Sequence, residues 1–323
     1  MHPEISLIVP CLNEVGNVAA LHRAATSVFD AAGVALELVF VDDGSRDGTW
    51  EAIRAVADGD RDHAVRAVRF SRNFGKEAAM VAGMREATAP VLGIIDADLQ
   101  QDPALALSMF RMLADDPDLD VVAAYQEGRR EGPLVAAAKR GFYRLFNAAA
   151  DEIDIPVDAS DFRVFRRPVA EALLSLPERL RFSKGLFAWV GFTCRTVPYT
   201  ARERERGASA WTLASLVRYA MTGILSFTTW PLRVAKWIGL TAAVGALLYL
   251  LYVLIVDYLL FGISIPGYPT LVCLILLIGG IQMLMLGVIG EYLGRDYLEN
   301  KRRPLYIARE RLANDGEVSD GGR

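Results

Sequence analysis

Residues 5–14 read Ile5-Ser6-Leu7-Ile8-Val9-Pro10-Cys11-Leu12-Asn13-Glu14, an apolar run that breaks abruptly into polar, turn-forming residues. The pattern returns at 36–45, where the run ends in Asp42-Asp43-Gly44-Ser45, and at 91–100, where it ends in Asp96-Ala97-Asp98-Leu99-Gln100. Further runs at 65–70 and 121–124 complete five strand candidates, and 16–32, 48–57, 77–87 and 103–113 carry helical spacing between them. Apolar runs separated by amphipathic helices form parallel strands covered on both faces, so the expected class is α/β with a mostly parallel sheet. In such a sheet ligands bind beyond the carboxyl ends of the strands. Three of those ends are acidic here.

The acidic ends define the chemistry. No GxGxxG and no GxxxxGK[ST] occurs, which excludes the dinucleotide fingerprint and the P-loop. Carboxylates at three strand ends repel a bare phosphate but suit a divalent cation together with a sugar or ribose rich in hydroxyl donors. Asp96 and Asp98, two residues apart at a strand end, can both turn towards one oxygen-loving ion such as Mg2+ or Mn2+. Asp47, before Gly48-Thr49-Trp50, reads instead as a helix cap.

Across 323 residues, 35 Lys+Arg face 39 Asp+Glu, a formal charge of −4 that argues against a nucleic-acid coat. A hydrophobic share of 53% and mean hydropathy of +0.25 point to a soluble part joined to a membrane part and exclude a disordered chain. The three cysteines lie far apart without CxxC, which rules out a disulfide scaffold, and His2, His22 and His63 lack metal-ligand spacing and read as incidental. The N-terminus shows no basic stretch leading into an apolar one, so no secretory signal is expected.

The apolar excess collects late in the chain. Residues 237–256 and 268–290 are uncharged runs of 20 and 23 residues. Each can span a hydrocarbon core of about 30 Å. Arg218, Arg233 and Lys236 precede the first run, Arg295, Lys301, Arg302 and Arg303 follow the second, and the connector 257–269 has no Lys or Arg. That asymmetry predicts a multi-pass protein of the cell (inner) membrane with both termini and the N-terminal domain cytoplasmic. Residues 211–230 fit an amphipathic helix at the membrane interface. Residues from 314 onward read as a disordered tail. Gly239, Gly245, Gly279, Gly280 and Gly287 allow close helix packing and leave room for a homo-oligomer through the transmembrane helices.

With these residues in view, the sequence resembles family-2 glycosyltransferases of GT-A (Rossmann-like) fold. Within them it is most similar to polyprenyl-phosphate enzymes: the bactoprenol glucosyltransferases and dolichol-phosphate mannose synthase relatives. The resemblance rests on 9–14, 41–49, Arg72-Asn73-Phe74-Gly75-Lys76-Glu77, 96–100, Asp161-Phe162-Arg163, Lys184-Gly185-Leu186-Phe187-Ala188-Trp189, 226–233 and Gly290-Glu291-Tyr292, and it covers roughly residues 4–308.

It implies a GT-A domain over 1–210, an interfacial amphipathic helix over 211–232, a two-span transmembrane region over 233–293 (spans near 237–257 and 269–290) and a cytoplasmic tail over 294–323. It also implies transfer of a hexose from a nucleotide-diphosphate sugar, UDP-glucose foremost, to a polyprenyl phosphate beside the lipid bilayer, metal-dependent and inverting. The donor would be held by Pro10, Leu12, Glu14, Val41, Asp43, Lys76, Asp96, Ala97, Asp98 and Arg204. The ion would be held by Asp96, Asp98 and Gln100, with Asp98 and Asp161 catalytic, Asp161 as base or as orienter of the acceptor. The family lysine after Gly207-Ala208-Ser209 is replaced by Ala210, leaving Arg202 or Arg206 to supply that charge.

Lys139, Arg140 and Arg144 lie in an apolar helical stretch, with Arg140 and Arg144 on one face, and are the candidates for the lipid phosphate. Alternatives are a mannose or aminoarabinose donor, a lipid or polysaccharide hydroxyl acceptor, and a non-catalytic nucleotide-sugar scaffold.

Overall fold

The computed structural model describes residues 2–127, 159–179, 181–200, 230–252, 255 and 267–314. In chain order these form β1 (Ile5–Cys11), α1 (Val18–Ala32), β2 (Leu36–Asp42), α2 (Thr49–Gly59), β3 (Ala64–Phe70), α3 (Lys76–Glu86), β4 (Val91–Ile94) and α4 (Pro103–Asp115). There follow β5 (Val121–Gln126), β6 (Ala159–Arg166), α5 (Arg167–Ser175), α6 (Ser183–Trp189), β7 (Cys194–Tyr199), α7 (Trp230–Tyr252), α8 (Tyr268–Asn300) and β8 (Ala308–Ala313). One sheet carries all eight strands in the order β7-β5-β6-β4-β1-β2-β3-β8. The central β4, β1, β2 and β3 run parallel, β6 and β8 are antiparallel to their neighbours, and β7 is parallel to β5.

Strand alternation sorts the apolar runs onto two faces. Leu7, Val9, Leu38 and Phe40 pack with Phe29, Trp50 and Ile53 from α1 and α2. Ile8 and Val39 point the other way, against Met80, Val81 and Met84 of α3. Burial on both faces is why the strands read as unbroken apolar runs. Among the charged residues that interrupt them, Glu37 of β2 is fully buried. Its carboxylate accepts from Arg66 Nε at 3.0 Å, from the Thr88 hydroxyl and amide at 2.8 Å each, and from the Ser6 hydroxyl, tying β1, β2 and β3 together near their amino ends.

The α/β class and the mostly parallel sheet stand. The strands β6, β7 and β8 were not foreseen. Residues 294–323, expected as a tail, contain β8, which pairs antiparallel with β3. Among the described residues one helical stretch, Leu277–Asn300 of α8, is long and apolar enough to cross a membrane, where the sequence led us to expect two spans. The first expected span comprises α7 and residues beyond Tyr252 that lie mostly outside the described residues.

Candidate active site

The sheet order places a topological switch point at β1: the chain passes from β1 to β2 and β3 on one side, then returns to β4 on the other. A crevice opens at the carboxyl ends on either side of such a reversal, which is where ligands of open α/β sheets sit. Residues 12–17 after β1 and 95–101 after β4 line it. Antiparallel β6 completes it from the side of β4. Ile94 is opposite Arg163, and carrying that register two residues further sets Asp161 opposite Asp96.

Lys76, the first residue of α3, bridges the two carboxylates. Its Nζ is 2.6 Å from Asp96 Oδ1 and 3.1 Å from Asp161 Oδ2, with side-chain exposures of 38% for Lys76, 32% for Asp96 and 23% for Asp161. Burial alone would push the Asp161 carboxyl up. The cations of Lys76, Lys184 and Arg163 outweigh it and hold the carboxyl well below the usual carboxylate range. Burial likewise opposes the Lys76 ammonium, and Asp161 and Asp96 reverse the balance, raising its pKa. The result is a row in which Asp161 and Lys76 hold each other ionised, with Asp96 on the far side of the ammonium. Arg163 also lies over the Phe187 ring, 4.1 Å from its centroid, and donates to the Ser160 carbonyl.

Asp96 is oriented by Gln101, a buried residue that the sequence reading passed over in favour of Gln100. Gln101 Oε1 accepts from the Asp96 amide at 2.9 Å, and its Nε2 donates to Asp96 Oδ2 at 3.0 Å. The backbone N–H of Gln100 donates to Asp98 Oδ1 at 3.2 Å across a turn in which Leu99 takes φ 58°. Ala97 is buried.

On the β2 side, Asp43 accepts from the amides of Phe74 and Gly75 at 2.6 and 2.9 Å, so its buried carboxylate clamps the loop that delivers Lys76. Burial pushes its carboxyl up despite those bonds. Gly44 makes the clamp feasible. At φ +73° a Cβ there would lie 2.5 Å from the Arg72 carbonyl carbon, so only glycine fits. The N-cap of α2 is Gly48 rather than the expected Asp47; Asp47, one residue earlier, accepts from the Thr49 amide and hydroxyl and from the Val15 amide, and so ties the start of α2 to the loop after β1. Asn13, at φ 58°, accepts from the Arg46 amide, and the Glu14 amide donates to Thr49 Oγ1. Pro10 is half-buried beside fully buried Val41, its register partner, and Leu12 is 43% exposed at the mouth of the crevice.

A further residue without a role in the sequence reading is Glu77. Its carboxylate accepts the amide and hydroxyl of Ser183, the first residue of α6, and thereby holds the helix containing Lys184 against α3. Burial, reinforced by the Asp161 charge, raises its pKa to about 7. Arg204, Lys139, Arg140, Arg144 and the helix expected over 211–232 lie outside the described residues, apart from the last three positions of that helix.

The donor set suits a hard divalent ion. Asp96 and Asp98 offer carboxylate oxygens, and an ammonium already within 2.6 Å of Asp96 shows that a cation is electrostatically favoured there.

Residues 6–174 match the family described as Glycosyl transferase family 2, and residues 230–295 match the GtrB C-terminal hairpin. The chain belongs to glycosyl transferase family 2. It is 37% identical over 304 residues to the prophage bactoprenol glucosyl transferase homolog of Escherichia coli (strain K12), covering 94% of this chain and 98% of that one. To the bactoprenol glucosyl transferase of Shigella phage SfV it is also 37% identical over 304 residues, covering 94% and 97%. Among solved structures, the glucosyl-3-phosphoglycerate synthase of Mycobacterium tuberculosis in complex with Mn2+, uridine diphosphate and glucosyl-3-phosphoglycerate is similar at a TM-score of 0.49 and 19% identity, covering 69% of this chain and 78% of that one.

Proposed function

We propose that this glycosyltransferase moves a glucosyl group from a nucleoside diphosphate glucose, UDP-glucose in the first instance, to a polyprenyl phosphate at the cytoplasmic face of the cell membrane. The observation that carries the reading is the pair of carboxyl groups, Asp96 and Asp161, facing one another across Lys76 at the switch point. The acceptor comes from the relatives named bactoprenol glucosyl transferase, which match this chain over nearly its full length.

In this reading the nucleoside sits over Pro10 and Leu12, with Glu14 and Asp43 at its edge and buried Val41 supporting Pro10 from β2, and the diphosphate meets Asp96, Ala97, Asp98 and Arg204. A Mg2+ or Mn2+ ion held by Asp96, Asp98 and Gln100 would supply Lewis-acid stabilisation to the departing diphosphate. Lys76 keeps a positive charge beside that position in the absence of an ion. A phosphate monoester with a second pKa near 6 is mostly dianionic at pH 7, so the acceptor attacks without a base. Asp161 suits that chemistry: so strongly stabilised as the anion, it is a poor proton acceptor, and its role is to hold the cations of Lys76 and Lys184 where they orient the acceptor phosphate on the face of the sugar opposite the leaving group. Attack from that face inverts the anomeric carbon.

The membrane part of the reading draws on two observations. Leu277–Asn300 is apolar and unburied, with Leu277, Met283, Leu284 and Leu286 all more than half exposed. Beyond it the chain returns to the catalytic sheet as β8, so the carboxyl end of α8 lies on the side of the catalytic domain. We read α7 and the run beyond it as the first span (237–257), α8 as the second (269–290), residues 211–232 as interfacial, and Lys139, Arg140 and Arg144 as contacts for the lipid phosphate.

The test is purified protein with labelled UDP-glucose, Mg2+ or Mn2+, and polyprenyl phosphate in detergent. The expected product is a glucosyl phosphate lipid. Label appearing only on a lipid hydroxyl, or a preference for a different nucleotide sugar, would replace the acceptor or the donor in this reading.

A further inference from the structure

The amino ends of the strands, opposite the donor crevice, hold a second constellation. His22 of α1 and His63, just before β3, converge on Asp60, the residue that follows α2. His22 Nε2 is 2.6 Å and His63 Nδ1 2.9 Å from the same oxygen, Asp60 Oδ2. The other oxygen of Asp60 accepts the backbone N–H groups of Asp62 and His63 at 2.9 and 3.0 Å, which fixes the carboxylate. The outer nitrogen of the His63 ring, Nε2, lies 2.9 Å from Asp30 Oδ1 at the end of α1. Both imidazoles are 15% exposed and the Asp60 side chain 8%. The group borders an open cleft of about 660 Å³.

We propose that His22, Asp60 and His63 form a zinc site between α1, α2 and β3 that is separate from the transfer reaction. The three ligand atoms lie within 4.8 Å of one another. Ligands about 2.0–2.2 Å from a tetrahedral zinc stand about 3.3–3.6 Å apart, so small rotations that move the two rings outward from Asp60 Oδ2 suffice. Two imidazoles and a carboxylate match zinc in softness. The surrounding contacts match as well. A ligating histidine ordinarily donates its outer N–H to a carboxylate, which fixes the tautomer with its lone pair facing the metal. Asp30 does this for His63. On binding, the proton at His63 Nδ1 leaves to solvent and His22 carries its proton on Nδ1, so both inward nitrogens present lone pairs to the ion. Three protein ligands leave the fourth position to a water from the cleft.

The sequence concealed this group because 22, 60 and 63 have no local ligand spacing. The residues meet only because α1 and α2 lie on the same face of the sheet and β3 begins beside them.

The experiment uses the tag-free full-length chain in detergent, freed of metal by chelator and dialysed against Zn2+, with bound metal read by elemental analysis. A parallel Co2+ titration reads the visible absorption of a tetrahedral ion. The same measurements on an Asp96→Ala/Asp98→Ala background remove the donor-site carboxylates from the count. The expected result is one equivalent of zinc in both backgrounds, lost in His22→Gln and in His63→Gln. Asp30→Asn should keep the equivalent with affinity lowered about 10–100-fold. Failure of the wild-type chain to bind an equivalent, or full retention in the two histidine variants, would overturn the proposal. Should His63→Gln fail to fold, His22→Gln decides the matter, since it leaves the Asp30–His63–Asp60 contacts in place.

Discussion

Glu77→Gln isolates the buried carboxylate that fastens α6 to α3. In the native protein its pKa is raised to about 7 against an ordinary 4.5. A raised native pKa means that the folded state holds the proton after the unfolded chain has released it. The contribution is therefore complete below pH 4.5 and is lost progressively as pH rises to about 7. Each pH unit of separation is worth about 1.4 kcal/mol, so the loss between pH 5 and pH 8 comes to about 2–3 kcal/mol. For a catalytic domain of roughly 200 residues, that corresponds to a fall in melting temperature of about 5–10 °C. Glutamine keeps an oxygen to accept from Ser183 but does not titrate, so it should show none of this fall. The assay is thermal unfolding of both proteins in the same detergent from pH 5 to pH 8, reported as the difference between them, which cancels every other titrating group. A difference that is flat across this range would refute the claim that Glu77 is protonated in the folded state near neutral pH.

Lys76→Met removes the cation that sits 2.6 Å and 3.1 Å from the two carboxylates, leaving their oxygens at most 5.7 Å apart. At an effective dielectric of 20 their repulsion is about 3 kcal/mol; steady-state assays should show turnover reduced about 10²-fold or more. Gly44→Ala forces a Cβ to within 2.5 Å of the Arg72 backbone. Its strain of about 1–3 kcal/mol, with disruption of the Asp43 clamp, should lower both melting temperature and transfer activity. Arg66→Met strands the fully buried Glu37 and should destabilise by about 3–5 kcal/mol in denaturant titrations. Adding Glu37→Gln to that variant should recover part of the loss.

The strands β1 to β5 were legible because each is a continuous apolar run closed by turn residues, and their observed ends fall within two residues of those expected. The donor edge was legible for the same reason: Asp43, Asp96 and Asp98 stand immediately beyond runs whose direction is fixed by the parallel sheet. Neither β6 nor β8 announced itself. Asp161, Arg163 and Arg166 interrupt the first, and Arg309, Glu310 and Arg311 the second. Both strands exist through pairing with residues distant in sequence. That non-local pairing also hid the relation of Lys76 to Asp96 and Asp161, which no spacing along the chain could disclose. Gln101 was passed over for its neighbour Gln100 because the choice depends on which amide turns inward after Leu99. The histidines went unread for a similar reason, since His22 and His63 meet only around the end of α2.

The central claim is that the acidic tip after β4 holds the cation that assists departure of the nucleotide. A structure of the protein soaked with UDP-glucose and Mn2+, with anomalous scattering recorded for manganese, addresses it directly. The account predicts a manganese peak coordinated by Asp96 and Asp98 beside the diphosphate, with the Lys76 ammonium withdrawn from Asp96. Donor bound at the switch point with no manganese at those carboxylates, or manganese found only beside His22 and His63, would contradict it.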